Sequence, residues 1–327
     1  MISVERPFGI YLWSIFSKIW KKSIGYPVER FEFVAGKTYL STWTEVLGLV
    51  ISYYVVILVG KWIMRFFAPI KLNTIWQIHN LFLSIISGFF FLLLFEQMFP
   101  IVWNHGIYYS ICNPKSWAQP VVTIYYINYL IKYIELIDTV FLFLNKKPLQ
   151  FLHCYHHGAT VFLCFTQLIG QTPVSYVPII LNLGVHIVMY YYYFLCARGI
   201  RVWWKKWVTR IQIIQFIFDL LFVYFATYTY FAYTYFPFLP NFGDCAGKEF
   251  AALVGCFLLS SYLLLFIGFY VATYKSKEGK VINKNLNKNI QSQSHKLNDI
   301  SFKDLSNKVV NSTGVNSIGM TTRSRRI

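Results

Sequence analysis

The chain has 327 residues, of which 56% are apolar, 20% aromatic and only 13% charged, with a mean hydropathy of +0.47. Soluble domains carry about 25% charged residues, so a chain this long and this apolar cannot clothe its surface in polar groups. A soluble enzyme, a disordered protein and a disulfide scaffold are excluded; the chain reads as an all-α polytopic membrane protein. The net charge of +17 does not mark a nucleic-acid partner, because the basic residues sit in short loops between apolar runs and in a polar tail.

In chain order, the N-terminal residues lack the charged start, apolar core and small-residue cleavage site of a signal peptide, so the first spanning helix is expected to serve as the signal. A bilayer core of roughly 30 Å takes about 20 apolar helical residues. Seven stretches qualify: 46–66, 79–99, 121–144, 149–170, 174–197, 207–236 and 251–274. Residues 1–45 form an N-terminal segment, 46–275 a seven-helix membrane domain and 276–327 a tail rich in Lys, Asn and Ser that is expected to be disordered. Odd loops carry Lys61, Arg65 and Lys71, then Lys146 and Lys147, then Arg198, Arg201, Lys205, Lys206 and Arg210; even loops carry only Lys115 and Lys248. The odd loops and the C-terminus are therefore expected in the cytosol and the N-terminus in the lumen, although six basic residues before the first span dissent. That topology puts Cys112 and Cys245 together on the oxidising side and predicts that they pair. The sequon at Asn311 falls in the cytosolic tail and is expected to stay unmodified.

Ionisable residues inside spans are costly and mark functional sites by default. In the third span Lys132, Glu135, Asp138 and Thr139 follow helical spacing; in the fourth, His153, His156 and His157 do. In the fifth, Asn182, His186, Met189, Tyr190 and Tyr193 share a stripe, and in the sixth Thr209, Gln212, Gln215 and Asp219 do. At about 1.5 Å per residue the fourth-span histidines lie roughly 6–12 Å from the cytosolic end. Four helices thus aim polar groups at one cytosol-facing chamber, backed by apolar luminal halves. Blander readings stand beside this one. Lys132, Glu135 and Asp138 could be an ion pair that only orients helices; Gln212 and Gln215 could be interhelical glue; the basic aromatic segment at 203–207 could be an interfacial belt rather than a holder of a phosphorylated ligand. His79 and His105 read as incidental, and Glu96 and Asp219 have no assignment.

A cluster of histidines in a membrane admits two chemistries. A di-iron centre needs several histidine boxes, and this chain has seven histidines, one of them (His295) in the tail, and a single box; no metal is expected, and no CxxC spacing occurs. The other chemistry is imidazole acting directly as base or nucleophile, oriented by a neighbouring imidazole or carboxylate. A receptor or transporter could also bury histidines as ligand or proton sites.

The segments KYIELIDT (132–139), HCYHH (153–157), HIVMYYYY (186–193) and TRIQIIQ (209–215) resemble, in order, the signature segments of the fatty acid elongase family, the very-long-chain 3-oxoacyl-CoA synthases. ERPFGIYLW, YYSICNP, ARGIRVWWKKWVTR and NFGDCAG resemble its fungal branch, closest in wording to the elongase making saturated very-long-chain acids for sphingolipids. The resemblance covers roughly residues 5–275. It implies a seven-helix fold of the endoplasmic reticulum membrane with six helices around an acyl tunnel closed toward the lumen. The implied reaction condenses malonyl-CoA with a long-chain acyl-CoA to 3-oxoacyl-CoA, CoA and carbon dioxide through an acyl-imidazole, with no cofactor. Carried over, His156 is the acyl acceptor, His186 its partner across the chamber, and His153 and His157 orient it. Lys132, Glu135, Asp138, Tyr190 and Gln215 belong to the polar end, and Asn182 or Gln212 would stabilise the malonyl-derived enolate. Arg201, Lys205 and Lys206 would hold CoA at the mouth. Membrane lipid, a ketoreductase, a dehydratase and an enoyl reductase are the implied partners, with a possible homo-oligomer. The end, TRSRRI, lacks a dilysine retrieval signal. Burial at roughly 0.8 kcal/mol per methylene would make tunnel depth a ruler for chain length, with Tyr228, Tyr230 and Tyr233 as candidate stops.

Overall fold

Apolar stretches of this length must satisfy their backbone polar groups internally, and in lipid a helix does so. A computed structural model describes residues 3–275; the tail at 276–327, with His295 and Asn311, lies outside the described residues. Nine α-helices follow in order among the described residues: α1 Leu12–Ile24, α2 Trp43–Ile63, α3 Asn73–Cys112, α4 Val121–Glu135, α5 Ile137–Leu144, α6 Phe151–Gly170, α7 Tyr176–Ala197, α8 Lys205–Tyr235 and α9 Glu249–Tyr270. Described residues contain no β-strand beyond an isolated Ser3–Arg6 bridge. Helices occupy all seven expected stretches, and five helical segments are long and apolar enough to cross a bilayer: the chain is a multi-pass membrane protein. The other two stretches carry the Lys132 and His153 clusters: one is split into the shorter helices α4 and α5, and the other is α6, whose polar residues lower its hydropathy.

Local signals set the ends. Thr42 and Glu45 form a capping box at the start of α2. In α3 the helix breaks at Gly106, whose φ of +83° is open to glycine at no steric cost. The third stretch is two helices rather than one, divided at Leu136.

Packing then joins the helices. α3 runs along α7, and α9 packs against both α6 and α8. Gly170 lets α6 reach Ala251 of α9, and a Cβ added at Gly158 would sit 2.5 Å from the Tyr54 hydroxyl of α2. At the end of the molecule opposite the basic loops, Cys112 and Cys245 form a disulfide that ties α3 to the α8–α9 connection. Beside it Ala246 N donates to Cys112 O and Lys248 N to Gly170 O.

The N-terminal segment carries the helix α1, which hydropathy alone does not reveal. Trp13 and Phe16 are buried on it, with Phe16 against Phe89 and Phe90 of α3. Glu96, unassigned from sequence, accepts from Leu12 N at 2.6 Å and Trp13 N at 2.8 Å. A buried carboxylate thus satisfies the open first amides of α1, where the helix dipole favours negative charge. The rest of the segment is held by Tyr126 and Tyr129, whose hydroxyls donate to Tyr39 O and Leu40 O.

Candidate active site

Lys132 and Glu135 stand one turn apart at the end of α4, their side chains 3% exposed and 2.9 Å apart. Lys132 Nζ also donates to Asn182 Oδ1 at 2.9 Å. With that oxygen occupied, Asn182 Nδ2 faces His186 Nε2 at 3.1 Å, and His186 Nδ1 lies 3.2 Å from Glu135 Oε1. The four side chains gather between α4 and α7. Asn182 Nδ2 donates, so His186 Nε2 accepts, while the buried His186 Nδ1, though close to Glu135, makes no hydrogen bond.

His156 differs. Its ring stands on a cavity wall among Tyr262, Phe266 and Phe216, with centroids at 4.9, 5.8 and 6.2 Å. No hydrogen bond among the described residues engages its ring nitrogens. The cavity includes Lys132, His156, Asn182 and Gln215 in its wall. From them it runs between α4, α6, α7, α8 and α9 toward the disulfide end, past Leu163, Ile179, Val223 and Leu259 to Trp117, Leu168 and Val174. The arrangement is an imidazole, a buried cation and an amide at one end of a largely apolar cavity.

Asp138, Tyr190 and His153 form a second cluster behind this wall. Asp138 accepts from Tyr190 at 3.0 Å and is 2.8 Å from His79 Nε2. Thr139 joins His153 Nε2 at 3.1 Å to Tyr53 at 2.8 Å. His79 is therefore not incidental: it meets a buried carboxylate 59 residues away, a partner no local spacing announces. His157 packs against the His153 ring at 4.4 Å, so the three fourth-span histidines serve different neighbours.

Other expected site residues lie elsewhere. Gln212 turns to Met189 Sδ and Gln215 to Asp219 at 3.0 Å; Gln215 lines the cavity and Gln212 is not among the residues of its wall. Arg201, Lys205 and Lys206 stand at the entrance to α8, away from the cavity wall. Tyr228 and Tyr233 are 47% and 51% exposed and line no part of the cavity wall, whereas Tyr230, which bonds Glu249, lines a smaller pocket that shares Gln167, Val174 and Val223 with the cavity. His105 stacks on Tyr109. Among the described residues no three His, Cys, Asp or Glu side chains converge as a metal shell.

Residues 38–281 match the model of the ELO family, described as GNS1/SUR4. The chain is 53% identical over 278 residues to "Putative fatty acid elongase 1" of Schizosaccharomyces pombe, covering 85% of this chain and 83% of that protein. It is 40% identical over 210 residues to "Fatty acid elongase A" of Dictyostelium discoideum, covering 64% and 74%. With "Long chain fatty acid elongase 1" of Caenorhabditis elegans it shares 31% identity over 235 residues, covering 70% and 78%.

Proposed function

The chain belongs to the fungal branch of the ELO family, and from this we propose that it is the condensing enzyme of fatty acid elongation, a very-long-chain 3-oxoacyl-CoA synthase. The observation that carries the reading is His156: an imidazole with uncommitted nitrogens on the wall of a deep apolar cavity, beside Lys132 and Asn182. The cavity suits an acyl chain, and a nucleophile at its polar end suits the thioester carbonyl.

In this reading a ring nitrogen of His156 attacks the acyl-CoA carbonyl; the C–S bond breaks, and CoA leaves with the imidazole proton. Malonyl-CoA then loses carbon dioxide, the C–C electron pair remaining as an enolate. The enolate attacks the acyl carbon, the C–N bond breaks, and the released imidazolate takes a proton from water. Lys132 has a third N–H beyond those given to Glu135 and Asn182, and is the donor assigned to the developing oxyanion; Asn182 acts by holding Lys132 and His186. His153 and His157 pack behind His156.

All seven stretches cross the endoplasmic reticulum membrane in this reading, with six around the acyl tunnel. The basic loops and C-terminus face the cytosol and the disulfide faces the lumen. Arg201, Lys205 and Lys206 then lie where CoA phosphates arrive. The products, saturated very-long-chain acyl groups destined for sphingolipids, require a ketoreductase, a dehydratase and an enoyl reductase downstream. Purified protein given stearoyl-CoA and labelled malonyl-CoA is expected to yield labelled 3-oxoacyl-CoA and carbon dioxide. Absence of both products from a folded sample would overturn the reading.

A further inference from the structure

One helical turn beyond the residues that meet at His156, the cavity wall is polar where a plain acyl chain has nothing to offer it. From Lys132 the turn back along α4 brings Asn128; from Gln215 the turn onward along α8 brings Asp219; from His156 the turn onward along α6 brings Thr160. All three line the same cavity. Thr160 is satisfied, its hydroxyl donating to His156 O at 2.6 Å and lying 3.3 Å from the Tyr262 hydroxyl. Asn128 and Asp219 are not. They are 2% and 0% exposed, and Asn128 Oδ1 and Asp219 Oδ1 have no hydrogen-bond partner, although Gln215 holds the other Asp219 oxygen. On the next turns Leu163 of α6 and Val223 of α8 are apolar, and Tyr125 of α4 brings one more buried hydroxyl without a partner, so beyond this layer the polar wall continues on α4 alone.

Buried polar atoms left unpaired are costly, and a site whose own polar groups need a partner favours the ligand that supplies it. A hydroxyl fits this layer. It donates to an oxygen and brings no charge into the membrane interior, as an amine or carboxylate would. Building on the elongation reading, we propose that Asn128 and Asp219 form a subsite for a hydroxyl on an interior carbon of the acyl chain. Hydroxylated long-chain acyl-CoAs are then substrates alongside plain ones. Four residues of helix advance about 6 Å, and an extended chain advances roughly 1.2 Å per bond, so the layer meets roughly the fifth or sixth carbon beyond the thioester carbonyl.

The test uses the full-length protein in detergent with malonyl-CoA and a series of octadecanoyl-CoAs bearing one hydroxyl at successive carbons. Condensation relative to the plain chain is expected to peak at one short range of positions, within roughly threefold of the plain chain there and roughly tenfold or more lower at carbons deeper than Tyr125, where the wall leaves a hydroxyl unpaired. In Asp219→Leu and Asn128→Leu the hydroxyl-to-plain ratio at the peak is expected to fall roughly tenfold, and in Asp219→Asn to persist, whatever the absolute rates. A wild-type profile without a local maximum overturns the subsite even if neither leucine variant folds. A maximum unmoved by both leucine variants overturns the assignment to these residues. Failure to condense the plain chain contradicts the elongation reading instead.

Discussion

At Lys132 a cation 3% exposed is held by one carboxylate and one amide. Removing it leaves Glu135 buried without its cation, and breaking a buried pair from one side costs about 3–5 kcal/mol. Lys132→Met is therefore expected to lower the unfolding free energy in detergent by that amount, and adding Glu135→Leu to recover much of it; an unchanged midpoint in the single variant contradicts the buried pair. At His79 the partner is Asp138. His79→Leu is expected to cost about 1–3 kcal/mol by stranding a buried acceptor, whereas His105→Leu on the exposed end of α3 should stay within about 0.5 kcal/mol. Equal costs at the two positions would show that the Asp138 contact contributes nothing. These two histidines mark what the residue pattern discloses. The clusters at 132–139 and 153–157 were legible because their members repeat at helical spacing within one segment. His79 was not, since its partner comes from another helix. Nor were the partners of the α8 amides: spacing puts Gln212 and Gln215 on one stripe, but Gln212 turns to Met189 and Gln215 to Asp219.

At the scale of elements, the seven apolar stretches were legible from hydropathy, and helices occupy each. Three features were not. Helix α1 owes its position to Trp13, Phe16 and the cap from Glu96, which are tertiary contacts. The turn at Leu136 divides a stretch whose hydropathy is continuous. The rotation of α8 turns Tyr228 and Tyr233 outward, which length and hydropathy do not report. The cavity ends instead at Trp117, Leu168 and Val174, from the ends of α6 and the connections flanking α4 and α7. Trp117→Ala and Leu168→Ala are expected to shift products toward longer chains, and Tyr228→Ala and Tyr233→Ala to leave the distribution unchanged; chromatography of the acyl products decides, and the reverse pattern contradicts this floor. The disulfide closes the same end across 133 residues of chain. Cys112→Ser, or reduction, is expected to lower stability by about 2–5 kcal/mol as read by thermal unfolding in detergent; no change in midpoint would make the bond dispensable to the fold.

For the whole molecule, a helical membrane protein encloses an apolar cavity with one uncommitted imidazole at its polar end. Composition alone excluded a soluble protein, and ordered motifs pointed to the family to which the chain belongs. Depth and direction of the cavity required the packing of α4, α6, α7, α8 and α9 together. The central claim is covalent acyl transfer to His156, and intact mass after incubation with a long-chain acyl-CoA alone tests it most directly. Wild-type protein is expected to gain one acyl mass and His156→Ala none. An adduct that persists in His156→Ala, or condensation with malonyl-CoA that proceeds in wild type without any adduct, would contradict it.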